Sequence, residues 1–227
     1  MCGRYHQAAP AERLGREFDL DIRENFPARY NICPTQPISI VHMNEKRQRQ
    51  YSLMRWGFIP SWAKKDYLDK LAVRPLINAR ADGIELKPAF RHAFRRRRCL
   101  IPATGFYEWT GAAGAKQPHN IVRRDGDLFA FAGLWETAHD ADGGEIDTVA
   151  IITTDAGPDI RDLHDREPVV IARDAYRFWL ETGEKDSGMT TSLLMAPKAG
   201  FWRTYAVSKA VNSAKNDGPE LVAPLAA

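Results

Sequence analysis

The apolar residues of this chain fall in short runs closed by turn signals, and this segmentation limits the fold more than any other feature. PISIVHM (37–43) and YSLMRWGF (51–58) flank the polar turn NEKRQRQ and read as a strand pair. CLIPATGFYEW (99–109) and HNIVRR (119–124) form a second pair across a Gly-rich turn. FAFAGLWE (129–136), DTVAIITTDA (147–156), PVVIA (168–172) and WRTYAVS (202–208) supply further strands, with the DADGGE turn after the first. Helical spacing predicts a short helix over 10–19, where Leu14 and Phe18 share a face. It predicts a basic one over 88–98, a short one over PDIRDLH (158–164), and an amphipathic one over RDAYRFWLET (173–182). Residues 60–76 read as a connection, and 181–191 as a surface loop. Strands and helices do not alternate strictly, so the expectation is one α+β domain over residues 1–227, mostly antiparallel.

The chain has 227 residues, 44% of them hydrophobic, enough for one core. No apolar run approaches the ~20 residues that span a bilayer, and the first ten residues do not read as a secretory signal. The expectation is a cytoplasmic, monomeric protein. Cys2, Cys33 and Cys99 are odd in number and far apart, which argues against a disulfide framework and a zinc site. No metal or organic cofactor is expected. Residues 1–110 carry 20 Lys+Arg against 11 Asp+Glu; residues 111–227 carry 12 against 18. That asymmetry suits a phosphate backbone, or merely a solvated surface.

Cys2 has chemistry available if Met1 is removed. The product carries an amine and a thiol on adjacent carbons, both partly nucleophilic near neutrality. Together they trap aldehydes as a thiazolidine; alternatively the thiol attacks amides, with the amine as base. The plain alternative is an inert, frayed end. Asn78 and Arg80 follow an apolar run and suit a hydrogen-bonding site and a phosphate contact, or a strand end. Glu108 shares a strand face with Phe106, and burial there would raise its pKa toward a useful range. His164 and Arg166 suit proton transfer and phosphate binding, or a helix C-terminus. Trp62, in a Pro-Ser-Trp-Ala-Lys-Lys loop, suits base stacking, whereas Trp56 reads as core. The run Arg95–Arg98 reads as a basic helix end with some arginines in ion pairs.

The order of these motifs is more specific than any one of them. Met1-Cys2-Gly3-Arg4-Tyr5, Tyr30-Asn31-Ile32-Cys33-Pro34, Trp56-Gly57-Phe58-Ile59-Pro60-Ser61-Trp62 and Asn78-Ala79-Arg80 come first. Arg98-Cys99-Leu100-Ile101-Pro102, Gly105-Phe106-Tyr107-Glu108-Trp109 and Phe131-Ala132-Gly133-Leu134-Trp135 follow. His164-Asp165-Arg166 and Val207-Ser208, with Val211, Asn212 and Asn216, complete the series. The chain therefore resembles the SOS response-associated peptidase (SRAP) family of abasic-site processing proteins over about residues 2–216, with 217–227 as a tail. The resemblance implies a curved, barrel-like sheet with peripheral helices and a basic groove for single-stranded DNA. It implies that Cys2, freed of Met1, forms a thiazolidine with an abasic-site aldehyde, shielding the lesion in the DNA damage response. Asn78, Glu108 and His164 would line the site. Arg4, Arg80 and Arg166 would hold phosphates, and Trp62 would stack against the strand. It further implies a peptidase activity on the protein's own Met1 and a lyase-type cleavage through the imine. A thiol amidohydrolase and a non-catalytic single-stranded nucleic-acid binder are the rival readings. Two departures from the family pattern stand out: Ala81-Asp82 where a hydroxyl residue and Glu often follow Arg80, and Glu167 where Arg or Met often follows Arg166; an acidic residue near the groove could weaken phosphate contacts.

Overall fold

The computed structural model describes residues 2–22, 26–112, 114–139, 143–181 and 187–225. Thirteen strands are found among them: β1 (Tyr5–Gln7), β2 (Arg29–Ile32), β3 (Pro37–Met43), β4 (Arg49–Trp56), β5 (Asn78–Arg80), β6 (Arg98–Ala103) and β7 (Gly105–Thr110), then β8 (Gln117–Arg123), β9 (Phe129–His139), β10 (Glu145–Asp155), β11 (Arg166–Pro168), β12 (Val170–Ile171) and β13 (Trp202–Ala206). The helices are α1 (Ala11–Phe18), α2 (Lys65–Val73), α3 (Arg91–Arg96), α4 (Tyr176–Leu180) and α5 (Ser187–Ser192).

Strands β4, β3, β6, β9 and β10 form a hydrogen-bonded ring, closed by the β9–β10 and β10–β4 pairings. The β10–β4 pairing is parallel, as is β10–β5; the remaining strand pairs are antiparallel. A second, wholly antiparallel sheet runs β13-β8-β7-β1-β2. The chain is thus α+β, built on a barrel-like sheet with an added sheet and a few helices.

Side-chain alternation along the ring strands feeds two cores. Val41, Leu100, Ala132 and Ile152 pack against Leu14 and Phe18 of α1, Phe94 of α3 and Trp179 of α4. Ile40, Trp56, Ile101, Phe131 and Ile151 pack against Tyr5, Phe106, Ile121 and Trp202 of the second sheet, and Cys2 lies among them. The α1 helix stops at Asp19, whose left-handed backbone (φ 55°) turns the chain so that the Leu20 N–H also reaches the Gly15 carbonyl (2.9 Å). Burying Leu14 and Phe18 is worth about 1.5–3 kcal/mol each.

Several expectations need correction. The run 99–109 is two strands, not one: β6 belongs to the ring and β7 to the second sheet. The break falls beside Gly105, where a Cβ would come within 2.3 Å of His6 Nε2. Residues 158–163 form turns rather than a helix. The connection expected over 60–76 contains α2, of which only Leu71 is fully buried. The predicted helix over 173–182 is a 3-10 turn followed by the five-residue α4. The described part of the expected tail, 217–225, packs on the domain. Leu221 is buried, and the Leu225 N–H donates to the Ala206 carbonyl. Met1, residues 140–142 of the expected turn and 182–186 of the expected loop lie outside the described residues. No helix among the described residues is long and apolar enough to cross a membrane.

Candidate active site

The β1–β7 register brings the first residues of the chain to Glu108. Tyr5 pairs with Phe106, and the Tyr107 N–H donates to the Arg4 carbonyl. Alternation on β7 then puts Phe106 into the inter-sheet core and Tyr107 and Trp109 into a separate cluster with Val207 and Val211. Glu108 is buried, as its place beside Phe106 leads one to expect. Cys2 has no accessible surface. Burial pushes its thiol well above the ordinary range, and the Glu108 carboxylate adds to this; the Arg4 backbone N–H, directed at the sulfur, opposes it. Burial likewise raises the Glu108 carboxyl, while His164 lowers it. The three groups are therefore electrostatically one site.

Asn78 enters from β5, which lies parallel to β10 with Asn78 beside Ile151. Its Nδ2 donates to the Cys2 carbonyl at 2.8 Å. Its Oδ1 is buried and has no hydrogen-bond partner among the described residues. His164 Nδ1 accepts the Arg166 backbone N–H at 2.9 Å. Because a backbone N–H always carries its proton, that bond places the imidazole proton on Nε2 in the neutral ring. Asp165 Oδ1 also lies 2.8 Å from Nδ1, a contact that needs a proton on that nitrogen. The two contacts ask opposite roles of Nδ1, acceptor in one and donor in the other.

Glu108 and His164 line a cleft of about 560 Å³ together with Trp109, Lys116, Lys209 and Asn212. Sequence reasoning gave none of those last four a role: Trp109 and Asn212 entered only as members of motifs, and Lys116 and Lys209 not at all. Lys116 follows the β7–β8 turn and Lys209 sits in the 3-10 turn Lys209–Asn212; neither has an ion-pair partner among the described residues. The wall carrying Lys209 is held by Asn31, itself buried. Its Nδ2 lies 3.2, 2.9 and 2.7 Å from the carbonyls of Val211, Ser213 and Asn216. Asp217 Oδ1 accepts the backbone N–H groups of Tyr30 and Asn31.

The expected DNA-contacting residues divide. Arg4 spends Nη1 on Asn31 Oδ1 (2.7 Å) and the Val211 carbonyl (2.8 Å), and its guanidinium lies 5.8 Å from the Trp109 ring centroid. It ties the site wall to β1. Arg166 is buried and anchored on Thr153, while Arg80 is exposed beside Asp82. Trp62 is half exposed, packs on Tyr67 and donates Nε1 to the Pro88 carbonyl. Trp56 is fully buried. Glu167 faces away from any groove: it is buried, accepting the Gly157 N–H (2.9 Å) and Trp202 Nε1 (3.3 Å). The arginine run also turns inward in part. Arg98 donates to the Trp179, Phe94 and Glu181 carbonyls, and Arg97 pairs with buried Glu136 over the Trp135 ring. Among the described residues, no group of three or more His, Cys, Asp or Glu is placed to hold a metal ion.

Comparison with known proteins points one way. A family model described as SOS response associated peptidase (SRAP) matches residues 1–214. Abasic site processing protein YoaM of Bacillus subtilis (strain 168) is 37% identical over 226 residues, covering 98% of this chain and 97% of its own. Abasic site processing protein YoqW of the same organism is 35% identical over 226 residues, covering 98% and 99%. A crystal structure of a protein from Bacteroides thetaiotaomicron superposes with a TM-score of 0.85 at 23% identity, covering 99% and 100%, and so shares the fold.

Proposed function

This chain belongs to the SOS response associated peptidase family of abasic site processing proteins, and from that premise we propose that Cys2 traps the aldehyde of an abasic site in single-stranded DNA as a thiazolidine. The observation that carries the reading is the convergence on one residue. Asn78 holds the Cys2 carbonyl, and the Glu108 charge acts on the Cys2 thiol.

Hydrolysis of the Met1–Cys2 bond, the self-processing peptidase step, releases methionine and leaves an α-amine on Cys2. A thiol that burial keeps protonated competes poorly for the aldehyde, so the amine adds first to the aldehyde carbon. Glu108 takes the proton the amine gives up. It is suited to this because burial has raised its pKa toward the range where transfer works in both directions. His164 Nε2–H donates to the sugar ring oxygen and favours the open aldehyde. Asn78 Oδ1, an unmatched buried acceptor, receives the amine or a sugar hydroxyl. The carbinolamine loses water to give an imine. The Cys2 sulfur then adds to the imine carbon, and the thiol proton passes to nitrogen. Aldehyde and Cys2 combine with loss of one water. Ring closure removes the imine that strand cleavage by β-elimination needs, so the lyase reaction is the diverted path. Trp62 stacks an unpaired base, a contact worth about 1–3 kcal/mol.

Intact mass spectrometry tests the reading. Protein mixed with single-stranded DNA carrying one abasic site should gain the oligonucleotide mass less one water, and Cys2→Ala should gain nothing. A Cys2→Ala protein that still forms the adduct overturns the assignment. Turnover of a peptide without an adduct identifies an amidohydrolase, and salt-sensitive binding alone identifies a passive binder.

A further inference from the structure

Asp82 stands among three cations. Its Oδ2 is 3.4 Å from Arg80 Nη2 and 3.6 Å from Arg166 Nη1. The Lys87 ammonium, which donates to the Arg80 carbonyl at 3.0 Å, lies within electrostatic reach of Asp82, Arg80 and Arg166, with Glu85 also near. One carboxylate oxygen shared between two guanidinium groups beside an ammonium imitates the way a phosphate oxygen is held.

Arg166 is held more firmly than the acids around it. Arg166 is buried and anchored from behind, with Nη2 donating to the Thr153 carbonyl (2.7 Å) and hydroxyl (3.1 Å). Its Nε is buried with no hydrogen-bond partner among the described residues. Asp82 is 59% exposed, and Asp155, the other acid on Arg166, is 82% exposed. Exposed carboxylates pair weakly and are readily exchanged for another anion. Arg166 is thus the fixed point of the seat, whereas Arg80, 60% exposed, is as open to solvent as Asp82. Trp62 is tied to the same segment of chain, its Nε1 donating to the carbonyl of Pro88, the residue after Lys87.

We propose that Arg80, Lys87 and Arg166 form one seat for a DNA phosphodiester, with Lys87 as its third cation, and that Asp82 fills this seat until the strand displaces it. The proposal rests on the reading of this groove as a single-stranded DNA site. Its consequence is selectivity. Every strand must first displace Asp82, so reversible binding to intact DNA stays weak, and only a strand captured at Cys2 is retained.

The test uses the full chain and an undamaged single-stranded oligonucleotide, so that no covalent step intervenes. Binding is followed by fluorescence anisotropy from low to moderate salt. Asp82→Asn keeps the shape and removes the charge. It should tighten binding about three- to tenfold and steepen the slope of log K against log salt by about 0.7, the value of one more neutralised phosphate. Lys87→Gln should weaken binding and flatten the slope by a similar amount. Unchanged or weaker binding by Asp82→Asn, with its slope unaltered and its melting temperature intact, overturns the proposal, as does a Lys87→Gln protein that binds like wild type. Failure of the Cys2 reading looks different: an abasic strand gives no adduct with wild type, while the Asp82 and Lys87 shifts on intact DNA persist.

Discussion

The Asn78 side chain donates to the Cys2 carbonyl at 2.8 Å while its own oxygen, buried in the same site, has no partner among the described residues. An amide satisfied at one end and open at the other fixes a backbone and awaits a donor. Asn78→Ala removes both roles and Asn78→Asp only the first. Crosslinking to an abasic strand should slow about 10²- to 10³-fold in Asn78→Ala, the range seen when one oriented polar group leaves a reacting centre. Affinity for undamaged single-stranded DNA should stay within about twofold. Single-turnover gel time courses and anisotropy, run side by side, separate the two effects. An equal loss in both would place Asn78 in binding rather than in positioning.

The groups of this site differed in how legible they were in the chain. Glu108 could be read because strand alternation is local: sharing a face with Phe106 predicts burial, and burial predicts the raised pKa. The exposure of Trp62 could be read because a Trp flanked by Pro, Ser and Lys has no core pattern to join. The role of Arg4 could not, because its partners Asn31 and Val211 are 27 and 207 residues away. Asp82 stood out as an acid near a groove; that it neutralises Arg80 and Arg166 at once depends on β5 and β11 both pairing with β10 around Thr153. The split at Thr104–Gly105 was hidden because apolar residues continue across it, and only the His6 ring against Gly105 shows why the chain changes sheets.

Asn31 ties four separate groups together, so its loss should be felt as stability and as loosening of one wall. Asn31→Ala strips a partner from the Ser213 and Asn216 carbonyls and from Arg4. The cost should be roughly 3 kcal/mol, given the penalty for unmet polar groups in a buried site. For a domain of this size that is a fall in melting temperature of about 6–12 °C. Limited trypsin digestion at 25 °C should then cut after Lys209 or Lys215 well before other sites. Even digestion across the chain would show general destabilisation instead.

His6 gives the fold a dependence on acid. Burial lowers its pKa from 6.5 to about 4, with Asn120 and Thr104 hydrogen-bonded to the two ring nitrogens. The folded state prefers the neutral ring. Its stabilisation is complete above the unfolded value of 6.5 and is lost as pH falls from there toward 4. The full loss is of order 3 kcal/mol. The urea midpoint of wild type should therefore drop between pH 7 and pH 4.5 by more than that of His6→Asn, which has no proton to gain. Parallel drops in the two proteins would assign the acid sensitivity to other groups.

Glu108 sets function against stability. The folded protein holds its carboxyl above the ordinary 4.5, with burial as the leading cause. A raised folded value means the protonated form is the one folding favours. That contribution is present below about 4.5 and disappears as pH rises through the folded value. At pH 7 the ionised carboxylate is therefore a net cost to the fold. Glu108→Gln should raise the melting temperature at pH 7 by a few degrees, at about 2–4 °C per kcal/mol for this size, and change it little at pH 4. The same substitution should cut the crosslinking rate by about 10²- to 10⁴-fold, the usual worth of a positioned base. It should also remove the rise of that rate with pH expected of wild type as Glu108 ionises. Both readouts are needed. A less stable Glu108→Gln protein would mean the carboxylate is held by bonds that outweigh its burial. A more stable one with an unchanged rate and pH profile would remove Glu108 from the chemistry and leave Asn78 and His164 to position Cys2 alone.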